Sequence, residues 1–133
     1  GTVAFSKISV KYIQSLEKIM LETLSKFNCF DIPLPFAKTK NLGMKVISSG
    51  VKMGEGWLLP AEMMELIDSG VNNIICCQPF GCMPNHIVGK GVIRSVREIY
   101  PKSNICTIDY DAGATKVNQE NRIKLMLSVA AER

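Results

Sequence analysis

Residues 73–91 read NIICCQPFGCMPNHIVGKG. The run opens with an uncharged apolar segment, Asn73 to Cys77, of strand length. It passes through a loop rich in glycine and proline, then takes on helical period from Asn85. Ile87, Val88, Ile93, Val96 and Ile99 mark that period as far as Tyr100, and Pro101 closes it. The same unit recurs on both sides. Upstream, Met44 to Ser48 (MKVIS) is a short apolar run, followed by a helix from Ala61 to Asp68 with Pro60 at its start and Gly70 as its stop. Downstream, Asn104 to Ile108 (NICTI) is followed by a helix from Val117 to Ala131. Strand and helix alternating three times predict an α/β fold: a Rossmann-like parallel sheet of at least three strands flanked by helices. The runs carry apolar residues at successive positions, which predicts strands covered on both faces.

Before the first run, Ile13, Leu16, Met20, Leu24 and Phe27 are spaced three and four apart and predict an amphipathic helix over Lys11 to Phe27, with Ser9 as its N-cap. Pro33 to Asn41 reads as an extended connector, so residues 1–41 form a helical lead-in to a single α/β domain spanning 1–133. The chain of 133 residues is long enough to bury a core without disulfide or metal. Hydrophobic residues at 47% and charged residues at 21% exclude a disordered tail or coiled coil. Sixteen Lys and Arg against twelve Asp and Glu are scattered, so the charge says little about nucleic acid, and no nucleic-acid partner is expected. No apolar run approaches the roughly 20 residues of a membrane span. Five cysteines, irregularly spaced and without an export signal, predict reduced thiols and a cytoplasmic location. The chain opens Gly1-Thr2 without methionine, which is expected of a fragment of a larger protein.

In an open parallel sheet, ligands bind beyond the carboxyl ends of the strands. The three segments that follow the apolar runs are the unusual parts of this sequence. They are Gly50 to Trp57, Gln78 to His86 and Asp109 to Gly113. Gly54 and Gly56 serve either a turn or a close backbone approach to an anion; they do not form G-x-G-x-x-G. Glu55 is either a solvated acid or a polar contact in a site. Asp109 and Asp111 could hold Mg²⁺ or close a turn. Arg122, opening the next helix near the same rim, could clamp an anion or pair with those acids.

Strand alternation sends Cys76 and Cys77 to opposite faces. Cys29 and Cys106 are expected to be buried and inert. Cys82 differs, lying between Gly81 and Pro84 next to a helix N-terminus that favours its thiolate. His86, four residues on, is a ligand, an acid/base or a cap-region residue. The Cys77–Cys82 spacing is not that of a zinc site.

Gly54 to Met63 (GEGWLLPAEM), Gln78 to Gly91 (QPFGCMPNHIVGKG), Asp109 to Ala114 (DYDAGA) and Asn118 to Met126 (NQENRIKLM) together resemble the end of the acyl-CoA dehydratase activase-related proteins. These belong with the subunits of 2-hydroxyacyl-CoA dehydratase and benzoyl-CoA reductase. The resemblance covers about Met44 to Ala131. It implies a lyase domain that contributes to a 4Fe-4S cluster whose cysteines come from different domains. It also implies an ATP-dependent activator that delivers one electron, with an acyl-CoA thioester as substrate. Cys82 matches the cluster cysteine, and Cys77 is the alternative. The remaining ligands would come from other domains of the parent, so the isolated fragment is expected to be metal-free and inactive. Two other readings stand beside this one: a non-catalytic electron-relay or activator-docking module, and a flavodoxin-like binding domain.

Overall fold

A computed structural model describes residues 2–29 and 31–132. The chain divides into two compact units, residues 1–35 and 36–133. In the first, α1 (Thr2–Leu24) is a helix of 23 residues. It starts well before Lys11, and Ser9 is not its cap. The Ser9 hydroxyl donates to the Phe5 carbonyl at 3.0 Å, the bond a serine makes inside a helix. No α1 residue is buried, so the apolar stripe of Ile13, Leu16 and Met20 faces outward.

The second unit runs α2 (Phe36–Gly43), α3 (Leu58–Asp68), β1 (Asn73–Pro79), a π-helical turn at Asn85–Gly89, α4 (Ile93–Ile99), β2 (Asn104–Tyr110) and α5 (Lys116–Ala131). β1 and β2 pair in parallel, with Ile74 beside Ile105, Cys76 beside Thr107 and Gln78 beside Asp109. The sheet of the described residues has these two strands, flanked by helices, where at least three strands were expected. Met44 to Ser48 is not a strand. The Met44 amide donates to Lys40, Lys45 to Leu42, and Val46 and Ile47 to Gly43, so the segment unwinds from the end of a helix. That helix, α2, occupies most of the predicted extended connector. Tertiary contact explains the difference, because α2 is short but closely packed. A Cβ on Gly43 would lie 2.8 Å from the Trp57 carbonyl oxygen and 2.9 Å from the Ala61 Cβ. Buried Thr39 donates its hydroxyl to Glu65 at 2.8 Å.

α3 buries Pro60, Ala61, Met63, Met64 and Ile67. It ends in a Schellman motif: the Gly70 amide donates to Ile67 and the Val71 amide to Leu66, with Gly70 at φ +98°. The predicted helix over Asn85 to Tyr100 is interrupted by the π-helical turn and by a turn at Val92. There the chain backbone lies close to β1; a Cβ on Gly89 would sit 3.3 Å from Cys76 Sγ and 3.4 Å from Gln78 Nε2. β1 alternates strictly, with Ile74, Cys76 and Gln78 buried and Ile75 and Cys77 exposed. β1 is therefore covered on one face, not two. In β2, Ile105 and Ile108 point to opposite faces and both are buried.

Candidate functional site

Of the three segments expected at the rim, Gly50 to Trp57 is loop and turn throughout, Gln78 to His86 leaves β1 through a turn at residues 80–82 into a helical turn, and Asp109 to Gly113 leaves β2 through a turn at residues 111–113; the first two touch. Gly54, at φ +54°, packs against Pro84: a Cβ there would lie 2.8 Å from the proline Cγ. This seats the loop before α3 against the loop after β1. Gly56, at φ +42°, lies under the Val51 carbonyl, with which any Cβ would collide. The backbone-approach reading therefore holds for these glycines toward protein atoms.

Cys82 is half-buried and not in a disulfide. Its amide donates to the Pro79 carbonyl and its carbonyl accepts from the His86 amide, each at 3.1 Å. A helical turn thus starts immediately beyond it. Asn85 Nδ2 donates to Cys82 Sγ at 3.0 Å, the kind of hydrogen bond that stabilises charge on sulfur. Cys77 is exposed and Cys76 buried, on opposite faces as alternation requires. Burial pushes the Cys76 thiol up, and the Gln78 amide donating at 3.1 Å only partly offsets this. Two expectations fail here. Cys29 is exposed, because it follows the solvent-facing α1, and Cys106 is only half-buried although α5 passes over it, its thiol lying 3.8 Å from the Arg122 carbonyl.

Asp109 is the electrostatic centre of the rim. Lys90 Nζ donates to its carboxylate at 2.8 Å, and His86 Nδ1 stands 4.0 Å from the same oxygen. The Lys90 hydrogen bond, with smaller contributions from the charges of Lys90, Arg122 and His86, holds Asp109 below the ordinary aspartate range. Asp109 is accordingly a fixed anion rather than a proton acceptor near neutrality. Asp111 uses one oxygen to close a turn, accepting from the Gly113 amide at 2.7 Å. Arg122 reaches the Thr107 carbonyl at 3.2 Å and forms no ion pair with either acid among the described residues. It nevertheless shares with both a polar cavity of about 210 Å³, completed by Gly113, Asn118 and Gln119. Glu55 is exposed and lies outside that cavity; its charge acts on Glu62, whose carboxyl is raised by burial and then by Glu65 and Glu55.

The rim therefore holds two neighbouring features, a half-buried thiol on the loop after β1 and a charged cluster on Asp109. Sequence reasoning missed Lys90, Asn85 and Gln78. Helical spacing from known candidates could have found the first two: Lys90 is four residues beyond His86, and Asn85 three beyond Cys82. Among the described residues no group of three or more metal-ligating side chains comes together, and no helix is long and apolar enough to cross a membrane. No family model, no curated protein and no solved structure matches the chain.

Proposed function

We propose that this chain is the C-terminal α/β domain of a cytoplasmic 2-hydroxyacyl-CoA dehydratase-like iron–sulfur protein, and that Cys82 is its contribution to a 4Fe-4S cluster shared with other domains. The observation that carries the reading is the setting of Cys82. It is a free, half-buried thiol at the carboxyl rim of a parallel sheet, with Asn85 donating to its sulfur. Cluster ligands are thiolates whose sulfurs accept hydrogen bonds, and this site fits one such ligand. Exposed Cys77 is the alternative. When bound, the cluster supplies single-electron transfer.

The chain's own part is to hold the Cys82 sulfur on a short, hydrogen-bonded loop and to keep a fixed positive and negative pair, Lys90 and Asp109, on the same rim. The substrate class, an acyl-CoA thioester, and the ATP-dependent activator belong to the same proposal. So does a Rossmann-like sheet of at least three strands, the further strands being supplied by the rest of the protein. Phe80, Met83 and Ile87, exposed by 80%, 53% and 58% around Cys82, also favour a second reading. In it the rim is a non-catalytic electron-relay or activator-docking surface.

Anaerobic reconstitution of the full-length protein with Cys82→Ser beside wild type tests the ligand. The variant is expected to lose iron and visible absorption; wild-type iron content would remove Cys82 as a ligand. Turnover of a 2-hydroxyacyl-CoA by the reconstituted wild type separates the lyase from the relay.

A further inference from the structure

The polar cavity at the carboxyl end of β2 has no part in holding Cys82, which does not line it. It encloses about 210 Å³ between the turn at residues 111–113 and the opening turns of α5, beside the fully buried Ile108. That is room for several waters or for a small ligand. It lies where an open parallel sheet places its ligands. Asp111, Asn118 and Arg122 are exposed, so the cavity opens to solvent.

Two opposite charges line this cavity without meeting. Asp111 belongs to the loop wall, where one carboxylate oxygen accepts from the Gly113 amide at 2.7 Å. A Cβ on Gly113 would lie 3.3 Å from that oxygen, so the glycine lets the carboxylate tuck against the turn. Arg122 belongs to the helix wall, where one guanidinium N–H donates to the Thr107 carbonyl at 3.2 Å. These backbone bonds hold each side chain on its own wall, and the two form no ion pair among the described residues. Asp111 keeps a second oxygen, and Arg122 further N–H groups, for another partner. The Asn118 side chain lines the same cavity and adds an amide donor and acceptor.

The charge pattern selects among small ligands. A metal ion would face Arg122, and Asp109 is already neutralised by Lys90 at 2.8 Å. A phosphate or a dicarboxylate would face both aspartates. A neutral sugar would use the amides and leave both charges unanswered. A ligand that carries both charges satisfies each wall, its ammonium on Asp111 and its carboxylate on Arg122, through charge-assisted hydrogen bonds of about 2.7–2.9 Å. We infer that this cavity binds a free α-amino acid as its zwitterion, with Asp111 and Arg122 as the two charged contacts and Asn118 as a polar one. The inference is independent of the cluster.

Titration of this chain with L-leucine or L-alanine, followed residue by residue in amide NMR spectra, tests the site. The controls are N-acetyl-L-leucine, which lacks the ammonium, L-leucinamide, which lacks the carboxylate, and D-ribose. At least one of the two amino acids should shift the Gly113, Asn118 and Gln119 amides saturably, with Kd of about 1 mM for a ligand of so few atoms. Each control should bind at least about 10-fold more weakly, because one buried charge loses its partner. Asp111→Asn keeps an acceptor for the Gly113 amide and removes the charge; it should weaken amino-acid binding by the same factor. Arg122→Gln should do likewise, with unshifted peaks away from the cavity reporting an intact fold. No saturable shift with either amino acid up to about 50 mM would overturn the inference. So would equal binding of leucine and its two derivatives, ribose binding as tightly as the amino acids, or unchanged affinity in Asp111→Asn. None of these results depends on iron content, so this site and the Cys82 cluster stand or fall separately.

Discussion

Asp109 gives the rim a measurable pH signature. Its folded pKa is depressed, first by the Lys90 hydrogen bond. A depressed carboxylate adds stability above its unfolded value of about 3.9, and that stability is lost as pH falls through the folded value. Both side chains are about one-third exposed, so solvent screening limits the pair to about 0.2–1 kcal/mol. Lys90→Met keeps the aliphatic stem and removes the charge. It is expected to lower unfolding free energy by that amount at pH 7, with the difference shrinking below about pH 4. Urea titrations at both pH values check this; a difference independent of pH would mean that the loss does not come from the Lys90–Asp109 ion pair. The cysteines offer a second test at this scale. Exposed Cys29 and Cys77 should react with a maleimide before half-buried Cys82 and Cys106, and buried Cys76, its thiol raised, should react last. Peptide mapping of a labelling time course reads the order, and early modification of Cys76 would contradict its packing under Gly89.

Elements with strong local signals were legible. The runs at Asn73 and Asn104 are strands, each extending two residues beyond its predicted end, because pairing continues to Pro79 and Tyr110. The Gly70 stop and the last helix are also as the sequence indicates. The last helix has Thr115 as N-cap, its hydroxyl accepting from the Asn118 amide at 3.3 Å. Met44 to Ser48 misled because its short apolar run satisfies strand and helix-end patterns alike. What decides between them is the contact of Gly43 with Trp57 and Ala61, which no local pattern encodes. The loops after β1 and β2 lie at the carboxyl edge of the sheet as expected, whereas Gly50 to Trp57 follows no strand and meets that edge only through Gly54 and Pro84; the charge partner of Asp109 comes from 19 residues upstream, and although its spacing from His86 marks it as a neighbour, its pairing with Asp109 takes the fold to show. The loop before α3 carries its own prediction. Gly56→Ala combines a left-handed φ with a collision against the Val51 carbonyl, whereas Gly81→Ala, at φ +69°, meets nothing within 4 Å. Gly81→Ala should cost roughly 1–2 kcal/mol, the left-handed penalty alone. Gly56→Ala should cost more than that, since the backbone must also shift. Thermal unfolding of the two variants ranks them, and equal losses would show that the Gly56 loop relaxes freely.

At the scale of the molecule, the folded core of residues 36–133 gathers around α3, α4 and β2. Met64, Val96 and Ile108 are fully buried at its centre, while α5 buries only Met126 and α1 buries nothing. A two-stranded parallel sheet with one strand bare on a face has little apolar area to spare. Small domains hold only about 5–15 kcal/mol in total, so each central contact is a large share of it. Met64→Ala removes a side chain with no solvent exposure and leaves a void among close-packed neighbours, a change that costs about 2–5 kcal/mol. Leu66, two residues away on the same helix and 42% exposed, is the matched control. Leu66→Ala retains a good helix former and opens no enclosed cavity, so it should cost less than about 1 kcal/mol. Denaturant unfolding followed by circular dichroism should show a much lower midpoint for Met64→Ala with an unchanged slope, and a midpoint near wild type for Leu66→Ala. Similar midpoints for the two variants would mean that α3 does not pack as the spine of this core, and the rim it supports through Gly54 and Pro84 would lose its rigid base.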